Sequence, residues 1–154
     1  MSYETRFTIE WGDCDENGIV FYPNYFYWLD CTFQRWLRSI GLSQRELRRR
    51  YDSTTPIIDV GATFRRPARY GDELCVRAAV TTWDEQEFRV SYRLEVSEQV
   101  VADGFERRAW AVLKNDRPRR ADIPVDFKEL MSSNALLKRT DGPAKLSILG
   151  IEES

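Results

Sequence analysis

Two periods alternate along the chain. Between positions 4 and 11 apolar residues recur at every second place, with Phe7, Ile9 and Trp11 on one face, which predicts a short half-buried strand. From Pro23 the period lengthens: Tyr25, Trp28, Leu29, Phe33, Trp36, Leu37 and Ile40 recur at helical spacing, and Gly41 follows where helices favour a left-handed residue. Proline tolerates the first helical position because its missing N–H would have no partner there. A helix from Pro23 to Ile40 would run roughly 27 Å, and an aromatic face this broad predicts burial, wrapped by a sheet. Ser43, with Glu46 three places on, predicts the N-cap of a short basic helix reaching Tyr51.

After Thr55 the period returns to two. Ile58, Val60, Ala62 and Phe64 alternate with polar or small residues, as do Leu74, Val76, Ala78 and Val80, and then Phe88, Val90, Tyr92, Leu94 and Val96. A last strand runs from about Val100 to Leu113, with Gly104 a candidate bulge. Four consecutive strands with short connections predict an antiparallel meander, to which the first strand adds a fifth member. Asn115 to Arg120 reads as a turn, Ile123-Pro124-Val125-Asp126 opens a short helix ending near Met131, and the stretch from 132 to 154 has the weak periodicity of a tail or docking segment. The expected layout is therefore α+β: an antiparallel five-stranded sheet wrapped around one long central helix, in a single domain over residues 1–131, followed by a C-terminal tail.

Composition narrows the chemistry. Of 154 residues 42% are hydrophobic, enough for a real core, and 23 basic against 25 acidic residues give no pull toward nucleic acid or a membrane surface. No apolar run approaches the roughly 18 residues of a membrane span, and no apolar leader is legible. Three cysteines without framework spacing fit free thiols, so a cytoplasmic location is expected. The most informative number is zero histidines, which excludes Ser-His-Asp and Cys-His catalysis in their usual forms and zinc sites that need imidazole. Acid–base work near neutral pH would fall to carboxylates, Lys, Tyr or Cys.

The candidate chemistry sits between strand and helix, in Trp11-Gly12-Asp13-Cys14-Asp15-Glu16-Asn17-Gly18-Ile19-Val20-Phe21-Tyr22-Pro23-Asn24-Tyr25. Asn17-Gly18 suits a tight turn, and the apolar run beyond it leads into a helix N-terminus with outward amide donors. An ionised acid beside such donors can attack a polarised carbonyl or direct water onto it. Asp13 suits a loop-shaping role, accepting backbone amides. Cys14 lies between two acids, which blunts a thiol as nucleophile, and no histidine is present to activate it. Asp30 interrupts the apolar stripe of the helix with no cation among its helical neighbours. It is either an edge carboxylate reaching water or an arginine from another element, or an acid that meets the polar end of a ligand. The arginines at 45, 48, 49 and 50 read as a solvated face.

The run Gly12 to Tyr25 resembles the 4-hydroxybenzoyl-CoA thioesterase family of hotdog-fold enzymes. Further matches follow in Trp28-Leu29-Asp30, Thr55-Pro56-Ile57-Ile58 and Ile123-Pro124-Val125-Asp126-Phe127, so the resemblance spans about residues 5–131. It implies hydrolysis of an acyl-CoA, with an aromatic, 4-hydroxybenzoyl-like acyl group favoured over short aliphatic ones, a fatty acyl or naphthoyl thioester as the alternative, and no metal or other cofactor. Asp15 matches the catalytic carboxylate, nucleophile or general base. Tyr22 matches the residue whose backbone N–H polarises the thioester carbonyl. Asn17 and Gly18 set the turn and are expected to bind substrate by helping to hold water or the carbonyl, and Asp30 matches the position that meets the phenol hydroxyl. One departure stands out: where the family's phosphate-gripping basic run follows the tryptophan matching Trp83, this chain has Asp84-Glu85-Gln86-Glu87. Arg65, Arg66 and Arg69 are then the nearest candidates for the CoA phosphates, with solvated strand-end charge as the bland alternative. The resemblance also implies a homodimer, or a homotetramer built as a dimer of dimers. The competing class is a thioester-binding domain without turnover.

Overall fold

The computed structural model describes residues 2–133. In chain order the elements are β1 (Tyr3–Thr8), a 3-10 turn (Trp11–Asp13), α1 (Pro23–Ser39), α2 (Gln44–Tyr51), β2 (Ser53–Thr54), β3 (Ile57–Phe64), β4 (Glu73–Trp83), β5 (Glu87–Val96), β6 (Gln99–Ala109), β7 (Ala111–Lys114), β8 (Arg117–Arg120) and α3 (Val125–Ser132). Among the described residues there are three helices, of which α1, with 17 residues, is the longest. None of them is long and apolar enough to cross a membrane. Apart from its first two positions, the expected tail lies outside the described residues.

The main sheet is antiparallel and five-stranded, in the order β1-β4-β5-β6-β3. Strands β4, β5 and β6 form the expected meander, and β1 adds to β4. The first of the four predicted consecutive strands does not join that meander through β4: β3 pairs with β6 on the far edge. Arg66-Pro67 cannot make a tight hairpin, so residues 65–72 carry the chain across the end of the sheet. On the way Ala68 accepts from Val20 N–H, and Asp72 accepts from Ile9 N–H, each at 2.9 Å.

The helix α1 packs on one face of this sheet through Tyr25, Trp28, Leu29, Phe33, Trp36 and Leu37, all buried as their spacing predicted. The facing strand residues Leu74, Val76, Phe88, Val90 and Leu94 are buried too. Gly104 is not a bulge. Leu94 pairs Ala102 and Glu95 pairs Val100, so the extra residue is Val101. Gly104 instead lets α1 approach: a Cβ there would lie 2.8 Å from Leu29 Cδ1 and 3.3 Å from the Gly61 carbonyl oxygen.

Other expectations need correction. The first strand ends at Thr8, and Trp11 is 72% exposed, stacked edge-on against Tyr70 instead of entering the core. The last long strand breaks at buried Trp110 into β6 and β7. Beyond the break, β7 joins β2 and β8 in a small second sheet. The turn predicted over 115–120 is only Asn115-Asp116, both at positive φ, and Arg117–Arg120 is strand. The indole of Trp110 packs 4.8 Å from the Phe127 ring and so ties α3 to the end of β6.

The tight approach at Gly104 makes a prediction. Gly104→Val should destabilise the fold by about 1–3 kcal/mol through overpacking against Leu29. Urea unfolding measures this, and a midpoint equal to that of the parent would mean that α1 can move away at no cost.

Candidate active site

The loop between the 3-10 turn and α1 is closed by its own backbone. Asp15 N–H donates to the Ile19 carbonyl at 2.9 Å and Gly18 N–H to the Asp15 carbonyl at 2.9 Å. Gly18 sits at φ +76°, where a side chain would be strained, which explains the glycine. Asp13 shapes the loop from both ends. Its Oδ2 accepts from Glu10 N–H at 2.8 Å, and its carbonyl accepts from Phe21 N–H (2.9 Å) and Asn24 Nδ2 (2.8 Å). The half-buried Asp15 accepts Asn17 N–H on Oδ1 at 2.8 Å, and its Oδ2 takes no donor among the described residues. Asn17 itself is exposed.

The same loop delivers the start of α1. Tyr22 is the N-cap, Pro23 follows, and no side chain among the described residues caps the helix. Asn24 and Tyr25 N–H turn back to the carbonyls of Phe21 and Tyr22, whereas Tyr22 N–H has no acceptor among the described residues. An unpaired donor at the positive end of a helix is suited to a developing oxyanion. Beside it opens a groove of about 520 Å³, lined by Val20, Tyr22, Tyr25, Phe64, Arg65 and Arg66.

Asp15, Asn17, Gly18 and Tyr22 thus share one loop, and the cation candidates divide. The Arg65 guanidinium pairs with Asp103. Arg66 and Arg69 are exposed, and their guanidinium groups have no acid partner among the described residues, although Arg69 N–H donates to Asp72 Oδ2 at 2.8 Å. The acidic turn lies at the other end of the sheet, because β4 runs from Glu73, beside the loop, to Trp83. There Glu87 is paired with Arg120 at 2.6 Å and Arg107 at 3.2 Å, which hold its carboxyl below the usual glutamate range.

Asp30 stands about two turns along α1 from the loop. The arginine from another element is there: Arg108 of β6 donates Nη2 to Asp30 Oδ1 at 2.8 Å, and Gln34 Nε2 donates to the same oxygen at 3.1 Å. The side chain is nonetheless 44% exposed. Behind it lies a group the sequence reading missed. Arg108 also reaches Glu106 Oε1 through Nε (3.0 Å) and the Thr55 carbonyl through Nη1 (2.9 Å), and Tyr92 O–H donates to Glu106 Oε1 at 2.5 Å. Burial pushes the Glu106 carboxyl up against the opposing pull of Arg108, and burial followed by the charge of Glu106 pushes the Tyr92 phenol well above its ordinary value. The available signal was parity: Glu106 and Arg108 share the inward face of β6 with Gly104.

Cys14 is an unpromising nucleophile. Burial, and then the charges of Asp13 and Asp15, push its thiol up, and its sulfur lies 3.7 Å from the Glu10 carbonyl oxygen.

Comparison with known proteins extends this picture. The model of the thioesterase-like superfamily matches residues 9–131. A 4-hydroxybenzoyl-CoA thioesterase from Pseudomonas sp. strain CBS-3 is 31% identical over 131 residues, covering 80% of this chain and 93% of that protein. A 1,4-dihydroxy-2-naphthoyl-CoA hydrolase from Trichodesmium erythraeum strain IMS101 is 28% identical, covering 64% of this chain and 71% of that protein. The crystal structure of a 4-hydroxybenzoyl-CoA thioesterase variant with 4-hydroxybenzoyl-CoA superposes with a TM-score of 0.80 at 30% identity, covering 85% of this chain and 99% of that one.

The environment of Cys14 makes its own prediction. At pH 8 its alkylation by iodoacetamide, followed by peptide mass mapping, should be slower than that of glutathione and should accelerate as pH rises above 9. Faster modification than glutathione would contradict the electrostatic account of the loop.

Proposed function

The chain belongs to the thioesterase-like superfamily of hotdog-fold proteins and is a thioester hydrolase, and we propose that its substrate is an aromatic acyl-CoA carrying a ring hydroxyl, as in 4-hydroxybenzoyl-CoA. The observation that carries this is the unpaired Tyr22 N–H at an uncapped helix start, in one loop with a carboxylate that keeps an open oxygen. The thioester carbonyl accepts from Tyr22 N–H, which stabilises negative charge as the carbonyl carbon becomes tetrahedral. Asp15 either attacks that carbon or takes a proton from the water that does, and CoA leaves as the thiolate. Asn17 and Gly18 keep the Asp15 carboxylate in place. Asp30 offers its open oxygen to the ring hydroxyl. Arg66 and Arg69, with Arg65 where it parts from Asp103, meet the CoA phosphates in place of the family's basic run.

In this account α1 is the central helix that the sheet wraps, and the enzyme works in the cytoplasm as a homodimer or a dimer of dimers. The edge strand β3 supports the pairing: Ile57, Ile58, Val60 and Phe64 are 40–48% exposed there, an apolar edge that a second copy would cover. A dihydroxynaphthoyl group is the second substrate reading, favoured by the naphthoyl-CoA hydrolase relative and by the same hydroxyl chemistry at Asp30.

Thiol release from acyl-CoA tests the catalytic assignment. Asp15→Asn should fold normally and lose at least ~100-fold in turnover. Parent-like rates in that variant would remove Asp15 from the chemistry, and tight ester binding by the parent without thiol release would identify a binding domain. Asp30→Ala should lose about tenfold on 4-hydroxybenzoyl-CoA, the worth of one charge-assisted hydrogen bond, and little on benzoyl-CoA. Equal losses on both would make Asp30 structural.

A further inference from the structure

We propose that Arg108 is a positioning residue for substrate selection: from a buried seat on β6 it occupies one oxygen of Asp30 and so presents the other to a hydroxyl on the acyl ring. This rests on the assignment of Asp30 as a ligand contact made above.

The guanidinium is fixed on every side. It is 2% exposed, and its bonds to Glu106 Oε1, the Thr55 carbonyl and Asp30 Oδ1 all lie between 2.8 and 3.0 Å. Its flat face lies 4.1 Å from the Phe33 ring centroid. Such a fork has no second orientation to adopt.

The burial pattern gives the direction of dependence. A buried cation needs a counter-charge, and Glu106, wholly buried, already supplies one inside the core. An aspartate serving only as a further counter-ion would be expected in the core as well, yet Asp30 is 44% exposed and lines an open groove of about 620 Å³ with Cys31, Gln34 and Arg35. Arg108 therefore holds Asp30 more than Asp30 satisfies Arg108.

The chemistry of selection follows from the oxygens. Oδ1 takes donors from both Gln34 and Arg108, while Oδ2 takes none among the described residues. A carboxylate oxygen only accepts, so it recognises an O–H and gives nothing to an ether or to a bare ring position. The placement is suitable. Tyr22 and Asp30 are roughly 12 Å apart along α1, and both lie toward the β3 edge. Phe64 at one end of β3 packs on Tyr22 and Tyr25, and Ile57 at the other end pairs with Arg108.

The test is the ratio of kcat/KM for 4-hydroxybenzoyl-CoA to that for benzoyl-CoA. Removing Arg108 alone would leave Glu106 buried and unpaired, so Arg108→Met is combined with Glu106→Gln, and Arg108→Lys is made separately. The parent should prefer the hydroxylated ester. The neutral pair should lower the ratio about tenfold, to the value of Asp30→Ala, with benzoyl-CoA turnover held within about threefold. Arg108→Lys, a cation without a planar fork, should fall between. A parent-like ratio in the neutral pair, or equal loss on both esters, would overturn the positioning role while leaving the substrate assignment standing. Where the neutral pair fails to fold, a parent-like ratio in Arg108→Lys overturns it. A parent without any preference for the hydroxylated ester would defeat the substrate assignment and this inference together.

Discussion

The site depends on a helix end that is held firmly and yet left open. A helix start exposes amide donors that proteins usually cap with a side chain, and α1 has no such cap among the described residues. Its first residue is Pro23, which has no N–H to satisfy, so the Tyr22 amide is left at the tip. What holds that tip is indirect. The carbonyl of Asp13 takes Phe21 N–H and the Asn24 side chain, the carbonyl of Ala68 takes Val20 N–H, and the aromatic face of α1 is locked into the core. The amide can therefore be unpaired without the helix fraying, at a helix start that borders the groove lined by Phe64.

A second constraint lies deeper. Glu106 and Arg108 put opposite charges under α1, where apolar side chains would pack at lower cost. Both hydrogen bonds to Glu106, from Tyr92 O–H and Arg108 Nε, converge on Oε1, and Oε2 is buried without a partner among the described residues. A core that carries such a pair ties strand β6, helix α1 and the carbonyl of Thr55 to one geometry. The reward is a carboxylate at position 30 whose orientation is set from within the sheet and not by solvent. Both constraints meet along the β3 edge, where apolar residues remain exposed in the single chain.

Much of this was legible in the residues because it is local. The period of 3.6 from Tyr25 to Ile40 and the period of two through Phe88 to Leu94 each name their buried face, and the structure buries those residues. Asn17-Gly18 announced its turn because a positive φ has few suitable occupants. What could not be read was non-local. Nothing within residues 57–64 tells that strand to pair with β6 across the sheet, since the long connection through Arg66-Pro67 permits either neighbour. Trp110 falls inside the single strand expected from Val100 to Leu113, but it packs on Phe127 and the strand breaks there, with β7 continuing into the second sheet. Parity puts Glu106 and Arg108 on the same face as Gly104, but which face points inward depends on the register after the extra residue at Val101, and that is not local.

The central claim is that the open helix start and the Asp15 carboxylate together hydrolyse a hydroxylated aromatic acyl-CoA. The most direct measurement is thiol release by the unmodified protein from a panel of 4-hydroxybenzoyl-, phenylacetyl-, dihydroxynaphthoyl-, acetyl- and decanoyl-CoA. The account predicts hydrolysis concentrated on the hydroxylated aromatic esters. Turnover spread evenly over the panel, or greatest on decanoyl-CoA, would contradict it.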